Sequence, residues 1–481
     1  MAEIFLTNTM ERKKEKFTPI DPKKVGIYSC GPTVYRDIHI GNLRTYLMAD
    51  ILKRVLSYNG YKVFHVKNIT DVGHMRTDQE HHHQAFDPVI AEALKQGKTP
   101  QQIAGEYTEK FFEDEKKLSI LSADVFPKAT EHIKEMVELI KRLRDQGYAY
   151  ETDGTLYFDV KKFKDYGKLS GNTLEKMDKL LEAVRVSSET DKKDSADFAL
   201  WKKAEAERSL KWDSPWGVGF PGWHIECSAM SLKHLGDAFE DGNFYGERSR
   251  TIDIHTGGED NIFPHHEDEI AQSEAATGKK FVNYWIHGGY LLVDGKKMAR
   301  REGNVYTISD IVKKGFHPLS FRYLCLTSHY RSRLNFTWNS LTAAQNALDN
   351  LYREVSGYAI ESQPKIGCAE YEQRFLEAVN NDLDTPTALA VTSELVRSDY
   401  PASAKLATLY KFDQVLGLDF EKVAQKAAEI PIEVRNLVEQ REEARKKGDF
   451  GESDKLRSVI KGRGYEVVDT EKGPKLKKIL K

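Results

Sequence analysis

The stretch Cys30-Gly31-Pro32-Thr33-Val34-Tyr35-Arg36-Asp37-Ile38-His39-Ile40-Gly41-Asn42 constrains the fold more than any other part of the chain. Ahead of it, Val25-Gly26-Ile27-Tyr28-Ser29 is a short apolar run of the kind that forms a buried parallel strand. Behind it, Leu43, Tyr46, Leu47, Ala49, Ile51, Leu52 and Val55 recur at helical spacing up to the Asn59-Gly60 stop. Gly41 therefore falls where a strand-led loop opens a helix, and the first backbone N–H groups, with the positive end of the helix dipole, face any anion placed there. That geometry suits a nucleotide phosphate. Tyr61–Val66 then supplies a second strand, ending in Asn68-Ile69-Thr70-Asp71, and completes a βαβ unit. No GxGxxG follows the first strand, and Gly97-Lys98-Thr99 has Glu92 where a P-loop needs its first glycine.

A length of 481 residues allows roughly two to four domains. No apolar run approaches the roughly 20 residues of a membrane span, and Met-Ala-Glu-Ile-Phe-Leu at the start lacks a signal peptide's basic-then-apolar order, so a cytoplasmic protein without a membrane partner is expected. The formal net charge of -2 gives no global attraction to nucleic acid, so an RNA partner needs a local basic surface. Cys30, Cys227, Cys325 and Cys368 lie far apart with no CxxC, which argues against a disulfide framework and requires any metal site to be assembled by folding. His81-His82-His83 reads as a solvent-exposed loop, because three consecutive histidines cannot all face one ion from a regular element.

Residues 86–120 and 129–148 read as amphipathic helices, and Tyr148–Phe158 as a hairpin about Asp153-Gly154. This predicts an α/β fold in which a helical and hairpin insertion, 121–204, splits a Rossmann-like catalytic domain of residues 1–120 and 205–305, with the charged segment Ser187–Ser195 as its exit. In the second half, Pro221-Gly222-Trp223 turns into a helix carrying Cys227, and Pro264 suits the first turn of another, with His265 and Glu269 four apart on one face. Two Cys, one His and one Glu make a chemically suitable zinc set. His266 points roughly 100° away from His265 on an ideal helix, which favours stacking or capping over ligation. Gly257-Gly258 lets a backbone approach a flat ligand, and Asp260 can accept from ribose hydroxyls; a glycine turn with a helix cap reads equally well. The cationic loop Lys296–Arg301 can neutralise a leaving pyrophosphate or simply be a solvated face.

His39-Ile40-Gly41-Asn42 resembles the HIGH signature, and Lys297-Met298-Ala299-Arg300-Arg301 the KMSKS signature, of class I aminoacyl-tRNA synthetases. Cys30–Tyr35, Gly222–Met230 and Phe263–Glu269 resemble the cysteinyl-tRNA synthetase family specifically, and the similarity runs in order along essentially the whole chain. The resemblance implies that Cys30, Cys227, His265 and Glu269 hold a zinc ion that takes the substrate's thiolate, a soft ligand that serine cannot imitate. It implies Trp223 and Thr70 around the cysteine, His39, Gly41 and Asn42 at the ATP phosphates, and His255, Gly257 and Asp260 at the adenosine. Lys297 and Arg300 would then stabilise the transition state as the cysteine carboxylate attacks the α-phosphorus, with Mg2+ on the phosphates.

Three positions depart from the family. Asn42 replaces the last His of HIGH, Arg300 stands where the family's second lysine contacts ATP, and Thr70-Asp71-Val72-Gly73-His74 replaces a commoner acidic run for which no physical account is evident.

Phe321–Leu326 and Tyr330–Phe336, within a stem-contact segment 306–340, mix cations with aromatics in a way that suits an RNA stem or, equally, an amphipathic helix; Cys325 reads as a buried structural thiol. Residues 341–430 read as a helical bundle and 431–481 as two helices, a strand over Gly464–Asp469 and a basic tail, resembling the family's anticodon-reading module. The expected activity is ligation of L-cysteine to tRNA(Cys) by a monomer that consumes ATP. Two rivals remain: the ligase that joins cysteine to an amino-sugar inositol in mycothiol synthesis, and a non-charging zinc-containing RNA-binding paralogue.

Overall fold

A computed structural model describes the chain except residues 1, 74–75, 78–84, 173–191, 299–302, 429–430, 471–472 and 480–481. His81-His82-His83 and the first part of Ser187–Ser195 lie outside the described residues.

The first strand of the parallel sheet, β1 (Lys24–Ser29), leads through the Cys30 loop into α1 (Ile40–Tyr58), and β2 (Lys62–Lys67) pairs with β1 in parallel, Tyr28 opposite Val66. The chain then leaves the sheet and returns through α2 (Trp223–His234), β3 (Ile252–Gly258), α3 (Glu267–Thr277) and β4 (Val282–Gly288). These four strands are parallel in the order β4-β3-β1-β2. Val25, Ile27, Ile254 and Ile286 are buried within it, as expected of a sheet covered on both faces. The strand order reverses between β1 and β3, and the crevice beyond their carboxyl ends is where open α/β sheets take ligands.

Between β2 and α2 the chain forms the helices Pro88–Gln96, Pro100–Lys117 and Ile133–Asp145. The helical stretch expected over 86–120 is interrupted because Gly97 takes a left-handed φ of 63°, after which Thr99 opens a new helix through a reciprocal capping box with Gln102. Ala149–Thr152 and Thr155–Phe158 form the expected hairpin, turning on Asp153 and Gly154 with φ of 45° and 77°. Phe198–Lys203 and Gly219–Pro221 extend it to a four-stranded antiparallel sheet, so this sheet reaches to Pro221 and hands the chain directly to α2. Only glycine fits the handover, since a Cβ on Gly222 would lie 1.9 Å from the Ala199 carbonyl oxygen.

Downstream come α4 (Pro318–Leu326), the helices Trp338–Glu361, Ala369–Asn380 and Thr385–Arg397, then α5 (Ala402–Leu416) and Phe420–Ala428. They share one continuous apolar core with α1 and the parallel sheet. The last module, helices Ile432–Lys446 and Phe450–Gly462, has its own small core of Val434, Ile460, Tyr465, Val467 and Leu476. Its basic tail is ordered as a strand, Gly473–Lys478, paired antiparallel with Tyr465–Thr470. No described helix is long and apolar enough to cross a membrane.

The stretch that suited either an RNA stem or an amphipathic helix is the helix α4, but its Arg322 is fully buried and forms no basic rim. Its Nη2 lies 2.6 Å from Asp50 of α1, while its Nε and Nη1 donate to the Leu416 and Leu118 carbonyls at 2.6 and 3.0 Å. Asp50 also accepts from Arg54 at 2.8 Å, and Arg54 continues to the Gln414 carbonyl at 3.0 Å. The negative ends of two helices thus meet two buried cations and one carboxylate, and α1 is clamped to the bundle. Burial alone raises the Asp50 carboxyl, but Arg322 and then Arg54 hold it below its ordinary 3.8.

Asp50→Asn should destabilise the protein by about 3–5 kcal/mol at neutral pH, because two buried guanidinia lose the carboxylate that pairs with both of them directly. A folded-state pKa below the unfolded one contributes stability above roughly pH 4 that fades as the pH falls further, so the denaturation curves of variant and wild type should converge in acid. A gap of under about 1 kcal/mol at neutral pH would show that the clamp adds little.

Candidate active site

Cys30 ends β1's run into the crevice, Cys227 lies one turn inside α2, His265 closes the turn before α3, and Glu269 sits in the first turn of α3. One ligand atom from each of these four residues lies within 4.8 Å of the other three. His265 Nε2 approaches Glu269 Oε1 at 3.1 Å, and Cys30 Sγ lies 3.9 Å from the same oxygen. On its far side His265 Nδ1 meets His224 Nδ1 at 2.8 Å, and His224 Nε2 lies 3.1 Å from Asp268. That relay aims Nε2 of His265 at the cluster, as the partners of metal-bound imidazoles do.

The cluster is buried, and its charges are poised. A hydrogen bond from Cys30 lowers the Cys227 thiol to about 6, whereas burial keeps Cys30 well above the ordinary thiol value. Burial opposes charge on His265, yet the neighbouring Cys227 and Glu269 raise it to about 10. Burial likewise opposes charge on Glu269, but His255 and His265 hold it down to about 2. Two sulfurs, an imidazole nitrogen and a carboxylate oxygen, closely spaced and able to give up protons, fit a four-coordinate borderline-soft cation such as zinc.

Cys30 and Trp223 also line the cleft beside this cluster, together with His39, Asn42 and Asp260. The Trp223 ring lies 4.3 Å from the His265 ring, between cluster and cleft. At the cleft's other end His39 caps α1, its Nδ1 accepting from the Asn42 N–H at 3.2 Å. Across from it, Lys297 is exposed, with its Nζ 4.4 Å from the Tyr290 ring centre, and its carbonyl accepts from Asn304 at 3.2 Å. The next residue, Met298, rests on Gly41: a Cβ there would lie 2.2 Å from Met298 Cε. The two signature-like segments are therefore in contact. Arg300 lies outside the described residues.

Several side chains sit elsewhere than the sequence suggested. His255, expected beside the adenosine, is fully buried behind the cluster, its Nε2 3.0 Å from Glu269 Oε2 and its ring stacked on Trp285. Gly257 does admit a flat group closely, but that group is the His266 ring, 2.6 Å from a would-be Cβ. The His266 ring packs on Trp285 at a tilt of 44° rather than stacked, and its Nε2 lies within 3.2 Å of Cys30 Sγ. A second set of possible donors, Cys30, His255, His266 and Glu269, thus overlaps the first. Thr70 is buried, and its hydroxyl accepts from Asn68 at 3.0 Å, while Thr33, bridged to it, lines the cleft. Thr33, Tyr35, Arg36 and Tyr46 are cleft residues missed in the sequence; their place in the Cys30 loop or on the first turns of α1 was the available signal.

A parallel sheet with a cleft at its switch point, a helix N-terminus on one side and a basic turn on the other defines a class I synthetase catalytic domain. Residues 16–346 match the family described as tRNA synthetases class I (C) catalytic domain. The chain is 43% identical over 477 residues to cysteine–tRNA ligase 1 of Burkholderia lata, covering 98% of this chain and 96% of that protein. It is 39% identical over 494 residues to the cysteine–tRNA ligase of Thermus thermophilus, covering 98% of each. Mycobacterium tuberculosis methionyl-tRNA synthetase in complex with methionyl-adenylate shares the fold, with a TM-score of 0.55 and 16% identity over 84% of this chain and 93% of that one. The chain belongs to the cysteine–tRNA ligase family of class I aminoacyl-tRNA synthetases.

Two glycines of the site should respond differently to alanine. A Cβ on Gly31 would lie 1.7 Å from the Asn68 backbone oxygen, with no flexible group to yield, so Gly31→Ala should cost about 3 kcal/mol or more. Gly41→Ala meets the mobile end of Met298 and, at 3.0 Å, the edge of the His39 ring, both side chains that can shift, and should cost less, about 1–2 kcal/mol. Thermal unfolding of the two variants checks the order, and equal losses would contradict it.

Proposed function

We propose that the protein activates L-cysteine with ATP to cysteinyl-adenylate and transfers it to the 3′ end of tRNA(Cys). The observation that carries this reading is the four-donor cluster of Cys30, Cys227, His265 and Glu269 opening, through Cys30 and Trp223, on the cleft where α1 presents its N-terminus.

In this reading Trp223 walls the cysteine pocket, and Cys30, Cys227, His265 and Glu269 hold a zinc ion. Zinc supplies a soft partner for a thiolate that a serine hydroxyl does not match. The N–H groups at Gly41 and Asn42, with His39, hold the phosphates of ATP, which enters with Mg2+, and Asp260 takes the ribose. The substrate carboxylate attacks the α-phosphorus in line and pyrophosphate leaves, its growing charge met by Lys297 and Arg300. A terminal ribose hydroxyl of the tRNA then attacks the adenylate's carbonyl carbon and displaces AMP. Thr70 acts from behind Thr33, shaping the pocket, and His255 orients Glu269 rather than touching adenosine. The helical bundle and the last module hold the tRNA away from the cleft, and the protein works as a cytoplasmic monomer.

The full-length similarity to cysteine–tRNA ligases favours this reading over a mycothiol-type ligase or a non-charging paralogue. Pyrophosphate exchange should require L-cysteine, and L-serine should support it with a kcat/KM lower by about 10⁴ or more. Purified protein should carry about one zinc per chain, and Cys227→Ser should lose the metal while remaining folded. Comparable use of serine, or active protein without zinc, would refute metal-based selection; consumption of an amino-sugar inositol without tRNA charging would refute the acceptor.

A further inference from the structure

A second and smaller cavity shares Thr45 of α1 with the cleft. Met48, Leu326 and Leu383 give it apolar walls, and the side chains of Arg44 and Arg322 line it as well, although the Arg322 guanidinium is bonded to Asp50, Leu416 and Leu118 outside it. It has room for about two water molecules or one halide ion.

The two cations are not equivalent. Arg322 meets Asp50 at 2.6 Å. Arg44 is only 6% exposed, and its guanidinium donates to the carbonyls of Gly289 and Tyr290, each at 2.6 Å, and of Ser332. Among the described residues no carboxylate forms an ion pair with it. A guanidinium has five N–H donors, so three carbonyls leave two unused. Carbonyl dipoles offset part of the cost of burying a cation but carry no net charge. Asp50 pairs with Arg54 and Arg322, and Asp413 also acts on those two; the carboxylate that acts on Arg44 is Glu259, which is itself paired with Arg333 at 3.0 Å. Water filling the cavity would satisfy the spare donors but leave the guanidinium without an anion in direct contact.

We propose that this cavity is a binding site for a small monovalent anion of the halide class, held by Arg44. The anion neutralises a buried cation and braces α1 beside the turn that faces the phosphates. The inference is independent of the substrate assigned to the cleft.

Crystals of the full chain soaked in sodium bromide, measured at the bromine edge, should show an anomalous peak beside the Arg44 guanidinium. The peak should be absent from Arg44→Gln, and from Cys325→Met, which fills the cavity from its wall without removing the cation. In solution, replacing gluconate by saturating chloride at constant ionic strength should raise the Tm of the wild type by about 2–4 °C and leave both variants unmoved. If Arg44→Gln does not fold, Cys325→Met decides alone. No peak at Arg44 in the wild type, a peak that persists in Cys325→Met, or an equal chloride response in wild type and variant overturns the proposal.

Discussion

The carboxylate of Glu269 is the point on which the site depends. One oxygen faces His265 Nε2 at 3.1 Å and the other faces His255 Nε2 at 3.0 Å, in a place with no solvent. A buried carboxylate is costly unless paired, and here its partners come from β3 and from the turn before α3, with the thiol at the end of β1 close by. Glu269 is therefore more than one of four possible donors. It fixes the angle at which α3 meets the parallel sheet, and that angle decides whether His265, Cys30 and Cys227 converge.

From this cluster the organisation extends in two directions. Through Asp268, His224 and His265 it reaches α2, whose first residues are set by the antiparallel sheet ending at Pro221. The inserted sheet is thus a positioning device for Trp223 and Cys227 as well as a separate layer. Through the Cys30 loop it reaches α1, and through Asp50, Arg54 and Arg322 α1 is tied to the carbonyl ends of the helical bundle. A motion of α5 therefore has a direct mechanical route to α1, whose N-terminal turn borders the cleft.

Much of this was legible in the chain. His265 and Glu269 are four apart, and a helix puts such residues on one face whatever surrounds it. Val25–Ser29 and Tyr61–Val66 are apolar runs flanking a helical period, and they form strands within a residue of where the pattern put them. What could not be read depended on tertiary context. Phe321–Leu326 mixes cations with aromatics, a pattern shared by an RNA-facing surface and a buried ion clamp; only the presence of Asp50 on another helix distinguishes them. His266 reaches Cys30 from a stretch, Ile262–His266, that is kinked at the extended Phe263, so a regular helix through these residues was the wrong template. His255 resembled a ligand contact because a histidine before two glycines looks the same whether it faces a nucleotide or a buried acid. Gly97 broke a helix that periodicity alone continued.

The proposed activity rests on Cys30, Cys227, His265 and Glu269, from distant parts of the chain, being able to hold one metal ion that would take the substrate's sulfur. X-ray absorption at the zinc edge measures this most directly, because it counts sulfur neighbours regardless of turnover. The zinc-loaded protein should show two sulfurs from Cys30 and Cys227 with nitrogen and oxygen completing the shell, and the sulfur count should rise to three with L-cysteine and stay at two with L-serine. A shell without sulfur, or a count that does not respond to L-cysteine, would contradict selection of the substrate at this centre.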